Sequence, residues 1–449
     1  MTVMLYQSTR HDADPSVSAS GFAQALLKGL ASDGGLFVPR QWPLLDPAQL
    51  RAQIGLPPEE FLTPAGLARI GALLLAPLVA GSELADQLPA ITAQAFSFPA
   101  PLVPLGNSGR LGVLELFHGP TAAFKDFGAR FLAACMSRLR TPGQRPLNIL
   151  VATSGDTGGA VAAAFHRLAG VQVSVLFPKG LVSPTQEHQL TCWDGNVRSF
   201  AVRGTFDDCQ RMVKAAFMDP ALNQRYDLSS ANSINLGRLL PQAVYYAAAS
   251  LQGWAQHGEP VSFVVPSGNL GNAVAGSWAR RLGMPIGALV LAHNLNRTVP
   301  DLLRSGEFVP RPSIATLASA MDVGNPSNLE RLRALYPDLA GLRAAIAADF
   351  VTDEQIRARI RSGFAQYGQI WCPHTATAAE VHARLEPARQ RAGRWVLAAT
   401  AHPAKFHEIV EPLIGRPVPV PESLARLFEL PAQATEIAAD LDALRHALS

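Results

Sequence analysis

The sequence predicts an α/β fold with parallel sheets flanked by helices, together with a mainly helical N-terminal domain. Two patterns lead to this prediction. From residue 148 onward, short apolar runs alternate with turns and amphipathic stretches, as strand–turn–helix units do. Residues 1–95 instead have helical periodicity and precede a proline-rich stretch at 96–104. A chain of 449 residues also exceeds one typical core, so we expect two or three domains.

The N-terminal domain is expected to span residues 1–95 and to be separable from the rest. Residues 22–30 predict a short amphipathic helix that stops at Asp33-Gly34-Gly35, and 36–39 begin an extended segment. A second helix is predicted over 63–79, with Pro64 in its first turn. The first residues resemble neither a secretory signal nor a transit peptide.

Alternating strands and helices then follow in order. Strands are predicted at 111–117, 148–153, 171–177, 197–202, 261–265, 288–292 and 395–400, and helices at 126–138, 160–168, 206–217, 273–282, 329–348 and 353–366, with a helical tail to 449. Such repeated units favour parallel strands joined by right-handed crossovers. We expect a larger domain formed by 96–125 and 230–449, and a smaller α/β domain formed by 126–229.

Composition excludes several classes of protein. Hydrophobic residues make up 48% of the chain and charged residues 16%, which indicates a packed globular protein. The net charge is +3 without a block of basic residues, so we expect no nucleic-acid partner. Apolar runs are too short to span a bilayer, and the four cysteines are far apart and form no CxxC pair. These features predict a cytoplasmic protein with free thiols and no membrane contact.

One lysine stands in a setting that suits covalent chemistry. Lys125 follows a Gly-Pro turn, lies at the start of a predicted helix and has Phe124 and Phe127 among its apolar neighbours. Apolar surroundings disfavour a charged amine, so the pKa of Lys125 should fall, and a neutral amine can form a Schiff base with an aldehyde. The alternative is an ordinary surface lysine at a helix start.

Three turns after predicted strands could bind ligands. The turns 153–158 and 267–272 are rich in glycine, open helices and offer free N–H groups to anions. Thr400 would present a hydroxyl at the end of a third strand. Ligands of open parallel sheets bind at this edge. Alternatively, the two glycine-rich turns are ordinary connections, and Thr400 caps the next helix.

Other familiar motifs are absent from the sequence. There is no Walker A loop, no HExxH metal site, no GxSxG elbow and no GxGxxG dinucleotide turn, and we predict no metal. A phosphate cradle, a carboxylate cradle and a candidate Schiff-base lysine remain. This combination describes pyridoxal phosphate (PLP) acting on an amino acid.

Taken together, eight motifs identify a resemblance that runs through most of the chain. They are Asp33-Gly-Gly-Leu-Phe-Val-Pro39, His118-Gly-Pro-Thr-Ala-Ala-Phe-Lys-Asp126, Ala152-Thr-Ser-Gly-Asp-Thr-Gly158, Ser230-Ala-Asn-Ser-Ile-Asn-Leu-Gly-Arg238, Pro266-Ser-Gly-Asn-Leu-Gly-Asn272, Met321-Asp-Val-Gly-Asn-Pro-Ser-Asn328, Pro373-His-Thr375 and Thr400-Ala-His-Pro-Ala-Lys-Phe406. The chain resembles the longer threonine synthases, which are tryptophan-synthase-β-like, fold type II PLP enzymes. This resemblance implies conversion of O-phospho-L-homoserine and water to L-threonine and phosphate.

The resemblance also implies roles for individual residues. Lys125 matches the lysine that holds PLP, and Thr400 matches the hydroxyl that meets its pyridine nitrogen. The loop that binds the cofactor phosphate in the family corresponds to Gly268, Asn269, Leu270, Gly271 and Asn272. The loop that binds the substrate carboxylate in the family corresponds to Thr153, Ser154, Gly155, Asp156 and Thr157. Asn235 and Arg238 could help to bind the substrate phosphate.

Several questions stay open at this stage. The role of Asp156 is undecided, because related enzymes commonly have asparagine there and an acid would repel the phenolate-like oxygen of PLP. Arg238 could equally be a surface residue of the next helix. Rival functions are a PLP lyase that releases phosphate without adding water, or a non-catalytic PLP- or metabolite-binding protein. The chain is expected to be a monomer or a homodimer.

Overall fold

The computed structural model describes residues 3–11, 19–140 and 143–449. Within these residues the strands form three sheets, of three, six and five strands. Helices pack against the two larger sheets, and a cavity lies where the ends of strands from both sheets meet.

The N-terminal region contains a small antiparallel sheet as well as helices. Its strand order is β2-β1-β3. The elements are β1 (Leu5–Ser8), β2 (Ser20–Gly21), α1 (Phe22–Lys28), β3 (Phe37–Pro39), α2 (Pro47–Ile54), α3 (Pro64–Val79) and α4 (Leu88–Ala95). The expected helices are confirmed, but α1 ends at Gly29, whose φ of 72° reverses the chain before the predicted stop. Residues 1–2 and 12–18 of the predicted domain lie outside the described residues.

This region shares its hydrophobic core with the rest of the chain. The ring of Phe96, which follows α4, lies 5.9 Å from the ring of Phe127 and 6.5 Å from that of Phe131. The hydroxyl of Tyr6 donates to the carbonyl of Leu78 within the same core. Burying these side chains together stabilises both regions, so the expected separability is not supported. The boundary near residue 95 stays a prediction.

The middle of the chain supplies one edge of the six-stranded sheet and nearly all of the five-stranded sheet. Its elements are β4 (Leu102–Leu105), β5 (Leu111–Glu115), α5 (Lys125–Leu139), β6 (Leu147–Ala152), α6 (Asp156–Phe165), β7 (Val171–Pro178), α7 (Pro184–Thr191), β8 (Val197–Arg203), α8 (Phe206–Met218), α9 (Pro220–Arg225) and β9 (Asp227–Ser230). The helix predicted at 160–168 begins earlier, at Asp156, because Gly155 turns the chain with a φ of 136°.

The last part of the chain returns to both sheets. Its elements are α10 (Leu236–Leu239), α11 (Gln242–His257), β10 (Val261–Pro266), α12 (Gly271–Arg281), β11 (Ile286–His293), α13 (Thr298–Ser305), α14 (Leu329–Leu335), α15 (Leu339–Ala345), β12 (Ile346–Phe350), α16 (Asp353–Tyr367), α17 (Pro373–Ala383), α18 (Pro387–Arg391), β13 (Arg394–Ala399), α19 (His407–Ile414), α20 (Glu422–Phe428), β14 (Thr435–Ala438) and α21 (Leu441–Leu448).

The predicted parallel sheets are confirmed. The six-stranded sheet has the order β12-β11-β10-β13-β5-β4 and is parallel except for β4, which pairs with β5 antiparallel. The five-stranded sheet has the order β14-β8-β7-β6-β9 and is parallel throughout. Both sheets direct the carboxyl ends of their central strands, β6, β10 and β13, towards one cavity.

Two predicted helical segments are wrong in part. The helix expected over 329–348 is interrupted after Leu335, where Pro337 breaks the hydrogen-bond ladder and Asp338 caps a new helix. Residues 346–350 then pair with β11 as an edge strand. Near the C-terminus, residues 435–438 pair with β8 instead of continuing a helical tail.

The second difference also bears on the expected domain division. Strand β14 completes the sheet of the predicted smaller domain, although its residues were expected in the larger one. The remaining boundaries of the predicted division stay a prediction. Within the described residues no helix is long and apolar enough to cross a membrane, and all four cysteines are buried free thiols.

Candidate active site

Most of the predicted site residues line a single cavity between the two larger sheets. Those that line it are Lys125, Thr153, Ser154, Asp156, Thr157, Arg238, Gly268, Asn269, Leu270, Gly271, Asn272 and Thr400. Gly155 and Asn235 do not. The cavity therefore joins turns that follow β6, β10 and β13, as expected for ligands of parallel sheets.

Lys125 is the first residue of α5, and its side chain reaches the cavity. It is half-buried, with Nζ 5.7 Å from the ring centre of Phe124 and without a hydrogen bond to any described residue. Burial lowers the pKa of Lys125 to about 8, the charges of Arg238 and Lys405 act in the same direction, and Asp156 opposes them. The predicted decrease in the pKa is confirmed, so a neutral amine is accessible near neutral pH.

The turn before Lys125 is held in an uncommon conformation. Ala122 has a φ of 52°, in the left-handed region that non-glycine residues seldom adopt. Asp126 fixes this turn, because its carboxylate accepts the backbone N–H of Thr121 over 2.9 Å and the hydroxyl of Thr121 over 2.7 Å. The local strain is thus maintained by buried hydrogen bonds at the place where Lys125 leaves the turn.

The glycine-rich turn after β10 forms an anion cradle. Leu270 adopts a φ of 64°, and α12 begins at the next residue. The backbone N–H groups of Leu270, Gly271 and Asn272 have no acceptor among the described residues, as expected at a helix start. Asn269 is fixed on both sides, donating to Ser233 Oγ over 2.7 Å and accepting the N–H of Ser327 over 2.6 Å.

These residues fit the phosphate of PLP. Asn272 accepts the hydroxyl of Tyr246 over 3.0 Å through Oδ1, and its buried Nδ2 has no partner within the described chain. A Cβ at Gly268 would approach Met321 Cα to 2.8 Å, so only glycine allows this close backbone approach. Unpaired donors at a helix N-terminus are what an anionic ligand requires.

The turn after β6 is arranged as a second cradle. Thr153 Oγ1 accepts the backbone N–H groups of Gly155 over 3.0 Å and Gly158 over 2.9 Å, so this hydroxyl shapes the loop. Ser154 and Thr157 have hydroxyls with no partner among the described residues, and both side chains are half-buried. At the start of α6, the N–H groups of Asp156 and Thr157 have no acceptor in the described part of the chain and could bind a carboxylate.

Asp156 belongs to a buried ion pair. Its Oδ1 lies 2.7 Å from Lys405 Nζ and accepts Gln186 Nε2 over 2.9 Å. Burial alone would raise the pKa of Asp156, but the charges of Lys405 and Lys125, with the hydrogen bonds from Lys405 and Gln186, hold it well below its usual range. The structure therefore places an ionised Asp156 against a compensating cation, while the role of Asp156 toward the ligands stays a prediction.

The two residues expected at the substrate phosphate have different surroundings in the structure. Arg238 is 2% exposed, lines the cavity and has a buried Nε without a partner in the described chain, so it is not a surface residue. Burial lowers its pKa to about 10. Asn235 instead uses its side chain structurally: Nδ2 donates to Leu26 O over 2.8 Å, and Oδ1 accepts Gly237 N over 2.9 Å.

Several residues of the site were missed as functional candidates. His374 lines the cavity; its Nε2 accepts the N–H of Ala320 over 3.1 Å, its Nδ1 is unpartnered, and burial lowers its pKa to about 4. His374 and Lys405 both lie within motifs that carry the family resemblance, and this position was the sequence signal that could have identified them. Gln186 lies in no such motif and becomes visible only through its hydrogen bond to Asp156.

Comparisons with known proteins agree with this geometry. Residues 95–400 match the family model "Pyridoxal-phosphate dependent enzyme", residues 5–61 match "Threonine synthase N terminus", and residues 375–448 match "Threonine synthase, C-terminal". The threonine synthase of Haemophilus influenzae is 40% identical over 428 residues, covering 94% of this chain and 95% of that protein. The Escherichia coli threonine synthase is 38% identical over 429 residues, with the same coverage.

Solved structures give the same result. The Escherichia coli threonine synthase crystal structure superimposes with a TM-score of 0.87 at 36% identity, covering 99% of both chains. The PLP-bound threonine synthase from Brucella melitensis gives a TM-score of 0.86 at 33% identity, covering 99% of this chain and 98% of that one. The expected fold type II and the expected PLP cofactor are confirmed. The chain belongs to the threonine synthase family of PLP-dependent enzymes.

Proposed function

We propose that this chain converts O-phospho-L-homoserine and water to L-threonine and phosphate in threonine biosynthesis, using Lys125 as its catalytic residue. One observation carries the proposal. The amine of Lys125, which has no hydrogen-bond partner among the residues that the structure describes, shares a cavity with an anion cradle at Gly268–Asn272 and with the carboxylate loop at 153–157. The chain also matches proteins named threonine synthase over almost their whole length.

The cofactor is assigned to named groups of the chain. Lys125 would bind it covalently, and its phosphate would be bound by Asn272 Nδ2 and by the N–H groups of Leu270, Gly271 and Asn272, which have no acceptor among the described residues. The hydroxyl of Thr400, which lines the cavity and has no partner among the described residues, would bind the pyridine nitrogen. When bound, PLP supplies an electron sink that makes removal of protons from the substrate carbons feasible.

Different residues bind the two anionic groups of the substrate, its carboxylate and its phosphate. The hydroxyls of Ser154 and Thr157 and the N–H groups at the start of α6 bind its carboxylate. The guanidinium of Arg238 binds its phosphate, since its planar donors match phosphate oxygens. Gly155 and Asn235 support these groups from outside the cavity.

Lys125 also moves protons. With the cofactor bound, Nζ would take the proton from Cα of the substrate and later return it there. Overall, one hydrogen leaves Cβ and one arrives at Cγ as the Cγ–O bond to phosphate breaks, while water gives its hydroxyl to Cβ and its proton to the departing phosphate. A pKa of about 8 suits a group that must both accept and donate a proton near neutral pH. The half-buried ring of Phe124, whose centre lies 5.7 Å from Nζ, shields one side of this nitrogen from bulk water.

The deciding experiment is a product assay. Purified PLP-loaded protein should release one phosphate and form one L-threonine for each O-phospho-L-homoserine consumed. A keto acid in place of threonine would identify a lyase that adds no water, and binding without phosphate release would identify a non-catalytic protein. Either result would contradict the proposal. Oligomeric state and a cytoplasmic location stay predictions.

A further inference from the structure

A buried ion pair connects the two larger sheets beside the active site. Asp156 lies at the start of α6 after β6, and Lys405 follows β13. Their side chains are 3% and 0% exposed, and Lys405 Nζ also donates to the carbonyl of Thr121 over 2.9 Å. Lys405 does not line the cavity, whereas Asp156 does. The ammonium group of Lys405 therefore lies on the side of Asp156 that faces away from the cavity, where it cannot contact the substrate.

The position of Asp156 creates an electrostatic problem for the site. It lies within the very loop whose free N–H groups and hydroxyls are assigned to the substrate carboxylate. Two carboxylates that approach each other in a poorly hydrated cavity repel strongly, because Coulomb energies rise as the effective dielectric falls. An acidic residue is compatible with this loop only if its charge is cancelled by a fixed partner.

We propose that Lys405 is a positioning residue that neutralises Asp156 and thereby allows the 153–157 loop to accept the carboxylate of an amino-acid ligand. The inference rests on the proposed function, because it explains how the carboxylate part of that same site works. Lys405 acts through Asp156 and does not touch the ligand. Gln186 completes the arrangement by fixing the same carboxylate oxygen from α7.

The test compares two ligands that differ in one charge. L-Threonine and L-threoninamide should be titrated into the PLP-loaded protein, with dissociation constants taken from the change in cofactor absorption. The measured quantity is the preference for the acid over the amide. Five proteins are compared: wild type, Lys405→Met, Asp156→Asn, the double variant of these two substitutions, and Lys405→Arg.

The expected result is a pattern of opposite signs. Lys405→Met should reduce the preference for L-threonine by about tenfold or more, and Asp156→Asn should increase it, since it leaves an excess positive charge. The double variant should return close to the wild-type preference, and Lys405→Arg should retain it. If the pair served only to hold the fold together, both single variants would weaken both ligands alike, and that result would overturn the proposal.

Two further outcomes keep the test decisive. If Lys405→Met does not fold, Asp156→Asn decides alone, because a gain in preference cannot come from structural damage. A wild-type protein with no preference for the acid would also refute the role of Lys405. Failure of the proposed function is distinguishable, since it appears as absent threonine formation in wild-type protein whatever the binding preference.

Discussion

The backbone carbonyl of Thr400 accepts a hydrogen bond from the backbone N–H of Phe124 over 2.9 Å. An isolated bridge between Ala123 and Ala401 lies beside it. These contacts fix the end of β13 against the start of α5, so that Lys125 and the hydroxyl of Thr400 line one cavity although they are far apart in the chain. The proposed site depends on this pairing of two motifs.

Lys125→Ala should abolish covalent cofactor binding and turnover together. The substitution removes the amine that binds PLP and moves protons at Cα. We expect the visible absorption of lysine-bound cofactor to disappear and kcat to fall by at least about 10²–10⁴-fold. Lys214→Ala, on the exposed side of α8, is the matched control and should change neither. Wild-type absorption or turnover in Lys125→Ala would refute the assignment.

The pH dependence of cofactor rebinding should report the amine of Lys125. Because its pKa is lowered to about 8, the uncharged fraction of this amine increases as the pH rises through that value. The rate at which PLP rebinds covalently to apo-protein should therefore increase with pH and level off above a midpoint near 8, measured by stopped-flow absorption. A midpoint near the ordinary lysine value would contradict the proposed environment.

Gly271→Val should weaken cofactor retention while leaving the fold intact. A Cβ at this position meets Ser233 Cβ at 3.5 Å, an ordinary contact, so the protein itself tolerates a side chain. The added methyl groups would instead crowd an anion bound at the start of α12. Residual PLP after dialysis should fall, with the melting temperature of apo-protein nearly unchanged. Gly276→Ala, in the same helix, should retain PLP; equal retention in both variants would argue against this cradle.

Arg238→Lys should affect the substrate more than the cofactor. Lysine preserves the charge but lacks the planar set of donors that matches a phosphate. We expect KM for O-phospho-L-homoserine to rise by about tenfold or more, with the cofactor absorption retained. Arg211→Lys is the control, because Arg211 is exposed on α8 and pairs with Asp208. An unchanged KM would place the phosphate elsewhere.

Asn235→Ala should destabilise the protein without changing substrate affinity. It removes the hydrogen bonds to Leu26 O and Ser230 O and the cap on Gly237 N. The free energy of unfolding, from urea titration of the apo-protein, should fall by about 1–3 kcal/mol. Exposed Asn107→Ala should leave it nearly unchanged. A large increase in KM with normal stability would instead restore Asn235 to the substrate site.

Local patterns predicted the parallel-sheet class and most of the cavity lining. Lys125, the 268–272 turn and Thr400 were found because glycine-rich turns and strand ends have short sequence signals. Strands β12 and β14 were missed because both are partly exposed edge strands whose hydrogen bonds come from distant partners, β11 and β8. Helical periodicity does not report such pairings.

By itself, the sequence determined which residues could do chemistry: a lysine in apolar surroundings, two anion-binding turns and a hydroxyl at a strand end. Only the tertiary structure decided how the charges among them are balanced. It paired Asp156 with Lys405, turned Asn235 away from the cavity and buried Arg238 beside it. The physical reason is that the state of a buried charge depends on groups within a few ångströms, and those groups come from segments that only folding brings together.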